Sequence, residues 1–129
     1  MTTIDAQFVA AARSYIGTRC VHQGRSRNGV DCIGLVVMAV RDCGLDAPLT
    51  ADYGRTQAYL QFKPLLAKFC ERVGAAGEGI IVLYMNSMVL HVGVLTAKNT
   101  VIHAPNEGER VKEHHLNFQP RQFWRPRWP

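Results

Sequence analysis

Cysteine-rich spacing, membrane-length apolar runs and blocks of like charge are all missing from this 129-residue chain, and each absence excludes a class of protein. The four cysteines, Cys20, Cys32, Cys43 and Cys70, never form a C-x-x-C pair, so neither a cysteine-rich zinc site nor a disulfide framework is indicated. No apolar stretch approaches the roughly 20 residues that cross a bilayer. The opening "MTTIDAQFVAAARSYIG" has neither the basic start nor the apolar core of a secretory signal and reads as an amphipathic helix. The expectation is a product made in the cytoplasm that either stays there or leaves by another route. Internal repeats and low-complexity tracts are absent too.

What is present is an ordinary globular composition, 47% hydrophobic and 19% charged, on a length that fits one domain, residues 1–129. Lys and Arg outnumber Asp and Glu by 15 to 10. The net charge of +5 suits acidic partners such as anionic polymers or phosphate surfaces. The arginines are scattered (Arg25, Arg27, Arg55, Arg72, Arg110, Arg121, Arg125, Arg127) with no basic helix or interleaved aromatics, so nucleic acid is not expected as a partner.

Two helices are well punctuated. Ile4, Phe8, Val9, Ala12, Tyr15 and Ile16 form a helical stripe over residues 4–16, with Thr3 as cap and Gly17 as stop. Residues 32–43 are apolar nearly all round, and the Asp31 cap and Gly44 stop favour a buried helix over a strand. Between them, "TRCVHQGRSRNGVD" reads as an exposed loop. A loop over 45–53 and a helix over about 56–72, interrupted by Pro64, come next. The pattern then turns to short β-rich runs at 80–84, 88–95, 100–104, 110–116 and 122–128. Helices followed by an antiparallel sheet of about five strands make the fold class α+β.

Within that frame Cys32 stands out. A thiol at the first position of a helix capped by Asp31 lies at the positive end of the helix dipole, where a thiolate is favoured. Two histidines can complete a nucleophilic site. If "VLHVGVL" and "TVIHA" pair through a loop of Thr96, Ala97 and Lys98, Leu95 faces Asn99, Gly93 faces Val101, and His91 faces His103 on one side of the sheet. Leu90, Val92, Val94 and Ile102 would line the opposite, core-facing side. That register leaves the histidines facing a helix end or solvent. Packing the Cys32 helix start against them makes Cys32 the nucleophile, His91 its base in an ion pair, and His103 the orienter of His91. The N–H of Cys32 would meet the oxyanion. Zinc bound by the same three residues is the alternative chemistry.

"GVDCIGLV", "LHVGVL" and "VIHA", in this order and spacing over nearly the whole chain, resemble the NlpC-type, papain-like cell-wall cysteine endopeptidases, and in particular the small phage-encoded members carried in tail tips. His22, Gln23 and Gly24 ahead of Gly29 to Val36 make up the stretch most similar to that subgroup. The resemblance implies a papain-like fold, no cofactor, and hydrolysis of peptidoglycan stem peptides, commonly between γ-D-glutamate and meso-diaminopimelate. It places a Cys-His-His triad on Cys32, His91 and His103. Asp31 matches an aspartate thought to bind the substrate's amino end, beside its reading as a helix cap. His22, Gln23 and Cys20 fall on or near the substrate side. Two positions depart from the pattern: Cys20 stands where many relatives have a substrate-lining Tyr, and Ile33 follows the nucleophile where Ser is common. The implied partners are stem peptides and phage tail-tip or baseplate proteins. Delivery by a phage particle to the cell wall would need no signal peptide.

Other readings stay beside this one. A structural tail protein that has lost activity, or a thiol amidase or acyltransferase with the same triad, would carry the same motifs. His114 and His115, in the charged "KEHHLN", read as solvent-facing. The C-terminal "FWRPRWP" reads either as a partner-docking tail or as an edge strand covering the core.

Overall fold

Both expected caps form. In the computed structural model, which describes all residues except 1, 52, 54–57, 87, 88 and 118 and omits the side chains of 58–61 and 86, helix α1 spans Ile4–Arg13 with the Thr3 hydroxyl accepting from Ala6 N–H at 3.1 Å. Gly17 follows at φ +93°, which suits a glycine stop. Helix α2 spans Cys32–Asp42; Asp31 Oδ1 accepts from Gly34 N–H at 2.8 Å, so the first turn starts where the sequence placed it. A short hairpin, β1 (Arg25–Ser26) and β2 (Gly29–Val30), fills what the sequence suggested was an exposed loop. Val30 and Cys20 are buried there, because the segment packs against α2 instead of leaving it.

The expected third helix divides. Among the described residues Ala58–Ala67 is helical (α3, containing Pro64), the expected start at 56 and 57 lies outside them, and Cys70–Val73 is strand β3, at the edge of the sheet. Proline removes one helical N–H and crowds the preceding turn, and the last turn closes with tighter bonds from Lys68 and Phe69 N–H to the carbonyls of Leu65 and Leu66. The remaining strands are β4 (Ile81–Asn86), β5 (Val89–Leu95), β6 (Thr100–His103), β7 (Lys112–His115) and β8 (Pro120–Pro126). They form an antiparallel six-stranded sheet in the order β3-β8-β4-β5-β6-β7, so the class is α+β with one strand more than expected. Strand β8 is interior, between β3 and β4, with its prolines at the strand ends where ladder donors matter least. Its Trp124 is buried, and Trp128 beyond it sets its ring edge-on to Phe8 of α1 at 5.5 Å, so the C-terminal aromatics serve the core.

Both faces of the sheet are covered. Ile81, Leu83, Val92, Val94 and Ile102 pack with α1 and α2, while Ile80, Val82, Tyr84, Leu95 and Val101 make a second, smaller cluster on the other side. The histidines lie on that second side and are buried from solvent: His91 is 8% and His103 1% exposed.

Candidate active site

The hairpin that was to bring His91 opposite His103 closes one residue later than expected. Its loop is Ala97–Asn99, with Thr96 N–H donating to Thr100 C=O at 3.0 Å and Asn99 at φ +59°. Three-residue hairpin loops end on a left-handed residue, a place asparagine tolerates better than lysine. The ladder accordingly pairs Leu95 with Val101 and Val94 with Ile102. By that register His103 falls opposite Gly93, two residues short of His91. The parity of the strand survives, so both imidazoles stay on one face as diagonal neighbours. Gly93 is the residue that lets β6 approach: a Cβ there would lie 2.5 Å from Val101 Cγ2 and 3.2 Å from His103 Cβ.

His91 is paired instead with Tyr84 across β4 and β5, and their rings stack at 5.8 Å between centroids, 19° apart. The Tyr84 hydroxyl is in a short hydrogen bond with His103 Nδ1, and His103 Nε2 lies 2.5 Å from His114 Nε2. Both ring nitrogens of His103 are thus engaged away from His91, whose buried Nδ1 has no hydrogen-bond partner among the described residues. His114 is half-buried and bonded, where the sequence suggested a solvent-facing residue. Strand alternation, applied once β6 and β7 are paired, puts His114 on the face of His103, so the signal lay in a register the sequence does not fix.

Cys32 and His91 line one cavity of about 310 Å³, together with Cys20, His22, Asp31 and Tyr53. The N-terminus of α2 enters beside β5, and the Cys32 sulfur accepts from the backbone N–H groups of Val92 and Ile33. These donors and Arg25 favour the thiolate; burial and the Asp31 carboxylate oppose it more strongly and push the thiol from 9.0 to about 12. That rise corresponds to about 4 kcal/mol against the charged form. A helix terminus contributes at most about 2 kcal/mol, so burial wins. Burial lowers His91, and burial first, then electrostatic repulsion by His114, His91 and Lys112 as His103 takes up a proton, lowers His103 to about 3. The shifts of Cys32 and His91 both favour a neutral thiol and a neutral imidazole over the ion pair expected from the helix start alone.

Asp31 is saturated. Its Oδ1 accepts from Gly34 N–H and from Arg25 Nη1 at 3.0 Å; its Oδ2 accepts from Gln23 N–H at 2.9 Å and, in a short bond, from the Tyr53 hydroxyl. Arg25 also donates to the carbonyls of Gly24 and Thr50 and to Tyr53 Oη. The cluster ties the hairpin, the helix start and the 45–53 loop into one wall of the cavity. Of the expected substrate-side residues, Cys20 and His22 line the cavity, with His22 edge-on to Tyr53 at 5.7 Å. Gln23 stands outside it and acts on the wall, its side-chain amide donating to Tyr53 C=O. Burial, followed by Glu109, lifts the Cys20 thiol to about 11. Nothing in the local sequence marks Tyr53, Arg25 or Tyr84 for these roles, because it is the fold that brings their partners to them. Among the described residues no three of His, Cys, Asp and Glu are grouped to hold a metal ion.

The sequence profile of the NlpC/P60 family matches residues 17–128. The chain belongs to the NlpC/P60 family. A probable endopeptidase of Corynebacterium glutamicum is 32% identical over 116 residues, 87% of this chain; the chain spans 48% of that relative's length. Among solved structures, the NlpC/P60 domain of the peptidoglycan hydrolase SagA is 27% identical, with a TM-score of 0.65 over 92% of this chain and 96% of that one. NlpC2 from Trichomonas vaginalis is 18% identical and superposes with a TM-score of 0.73 over all of this chain and 48% of that one, which speaks for the NlpC/P60 fold alone. The papain-like α+β architecture expected from the motifs is thereby established.

Proposed function

We propose that this chain is a cysteine peptidase that cleaves peptidoglycan stem peptides, with Cys32 as nucleophile and His91 as general base and acid. The observation that carries it is the meeting of Cys32, at the start of α2, with His91 of β5 in one cavity. The family and the named activities of its relatives point the same way. As the Cys32 sulfur attacks the scissile carbonyl carbon, its proton passes to the lone pair of neutral His91. The oxyanion is met by the N–H of Cys32, in the first turn of α2 where intrahelical partners are lacking. His91 then gives the proton to the departing amine, leaving a thioester on Cys32. Water, deprotonated by His91, hydrolyses the thioester and restores the thiol.

His103 belongs to this machinery as a neutral element behind His91. Asp31, Cys20, His22 and Tyr53 form the substrate wall, and the Asp31 carboxylate gives it the polarity to face a peptide's amino end. The bond between γ-D-glutamate and meso-diaminopimelate and carriage in a phage tail complete the proposal. Both rest on the motif resemblance. A digest of labelled muropeptides tests the activity: cleavage is expected and is abolished by Cys32→Ala. An intact substrate with the folded wild-type chain overturns the reading. Mass spectrometry of the fragments identifies the bond, and of purified particles the carriage.

A further inference from the structure

The hydrogen-bonded row behind His91 has a direction that one carbonyl decides. His114 Nδ1 lies 2.7 Å from the carbonyl oxygen of His115, which can only accept, so Nδ1 carries the proton. The neutral ring then offers a bare Nε2, and His103 Nε2–H donates to it across 2.5 Å. That leaves His103 Nδ1 as acceptor for the Tyr84 hydroxyl. The row therefore runs from Tyr84 on β4, through His103 on β6, to the edge strand β7, with every proton placed. Strong burial keeps His103 neutral and hence a fixed tautomer.

We propose that Tyr84 and His114 are positioning residues for His91: Tyr84 stacks on the imidazole, and the bonds through His103 to His114 hold the Tyr84 ring in place. This rests on the reading of His91 as the base. Among the described residues none bonds the Nδ1 of that ring. A flat aromatic face fixed at its far end restricts imidazole rotation without forming a hydrogen bond to it. The charged neighbours are few. Lys112 lies opposite His103 across the ladder, Glu113 is held by Arg13 and Thr100 on the other face, and Cys32 approaches Tyr84 from α2.

The first test is spectroscopic and needs no substrate. Long-range proton–nitrogen correlation on the intact chain at pH 7.5 should show His103 protonated at Nε2 and His114 at Nδ1; His103 protonated at Nδ1 overturns the proposal. The second is kinetic. Tyr84→Phe and His114→Leu should each lower kcat by about 10- to 100-fold with KM nearly unchanged, the scale expected when a reacting group is misplaced. His114→Gln, whose side-chain oxygen can accept from His103 Nε2–H, should recover to within about threefold of wild type. A kcat that is unaffected in His114→Leu, or that falls equally in Leu and Gln in step with Tm, overturns the positioning role. Cleavage that survives Cys32→Ala sinks the peptidase reading and this role with it, while the tautomers still report on the row itself.

Discussion

Gly34→Ala should destabilise this protein although it improves a helix. In an open helix the change would contribute about 1 kcal/mol of added stability. Here the new Cβ would sit 2.2 Å from Gly24 C=O, 2.7 Å from Arg25 Nη1 and 2.9 Å from Asp31 Oδ1. Backbone must retreat by about an ångström to reach ordinary contact. Gly24 has nowhere to go, since its own Cα faces the carbonyl of Gly29 at a distance that leaves a Cβ only 2.5 Å. The hairpin must then lift from α2, stretching the Arg25–Asp31 pair and the Asp31 cap together. Overpacking costs about 1–3 kcal/mol and separating a largely buried ion pair about 3–5 kcal/mol if complete. With partial separation and the helix gain subtracted, a net loss of about 3 kcal/mol is expected. At about 4 °C per kcal/mol for a chain of this size, Tm falls by about 12 °C. Gly74→Ala is the control, because nothing lies within 4 Å of its Cβ and its φ is not positive; it should stay within about 0.5 kcal/mol of wild type. Thermal unfolding followed by circular dichroism measures both. A loss in Gly34→Ala below about 1 kcal/mol, or one equal to the control, would refute the close-packing argument.

Alkylation reports on the neutral thiol. With Cys32 pushed to about 12 and Cys20 to about 11, iodoacetamide should label neither quickly at pH 6, and the Cys32 rate should climb about tenfold per pH unit above it; rapid labelling of Cys32 at pH 6, read by peptide mass spectrometry, would restore the ion pair. His103 makes stability depend on pH. Its folded pKa is lowered to about 3 from 6.5, so the unfolded chain binds the extra proton between those values. That contribution is complete above pH 6.5 and is lost as pH falls, at up to about 1.4 kcal/mol per unit. Denaturant titrations of wild type and His103→Asn from pH 7 to 4 should show the steeper fall in wild type, and parallel curves would contradict it.

Local signals carried most of this fold. Thr3, Asp31 and Gly44 mark helix ends because caps and stops act within a few residues, and both helices begin where the caps stand, although α1 ends at Arg13, short of the expected stop at Gly17. Strand existence was legible from alternation, but strand order was not: β3 was hidden in the expected continuation of a helix, and nothing local says that residues 120–126 enter the middle of the sheet. The site divides the same way. Cys32 and His91 were readable from a helix start and a strand motif. The relation of His91 to His103 turned on whether Lys98 or Asn99 ends a loop, a one-residue matter that moved the register by two and handed the contact to Tyr84. The balance of charge at Cys32 divides in the same way. A helix dipole is visible in sequence, whereas the burial that outweighs it is tertiary.

The place of β8 has a consequence for how the chain comes to be made. The strand that joins β3 to β4 is the last of the sheet to be synthesised. Until residues 120–126 emerge, the nascent protein carries two unpaired strand edges where the finished sheet has none. One of them, on β4, runs through the Ile81–Tyr84 segment that backs His91. A ribosome that stops short of Pro120 therefore releases a product with a sticky seam beside the strand that carries His91. Quality control during synthesis and completion of the candidate site hang on the same seven residues.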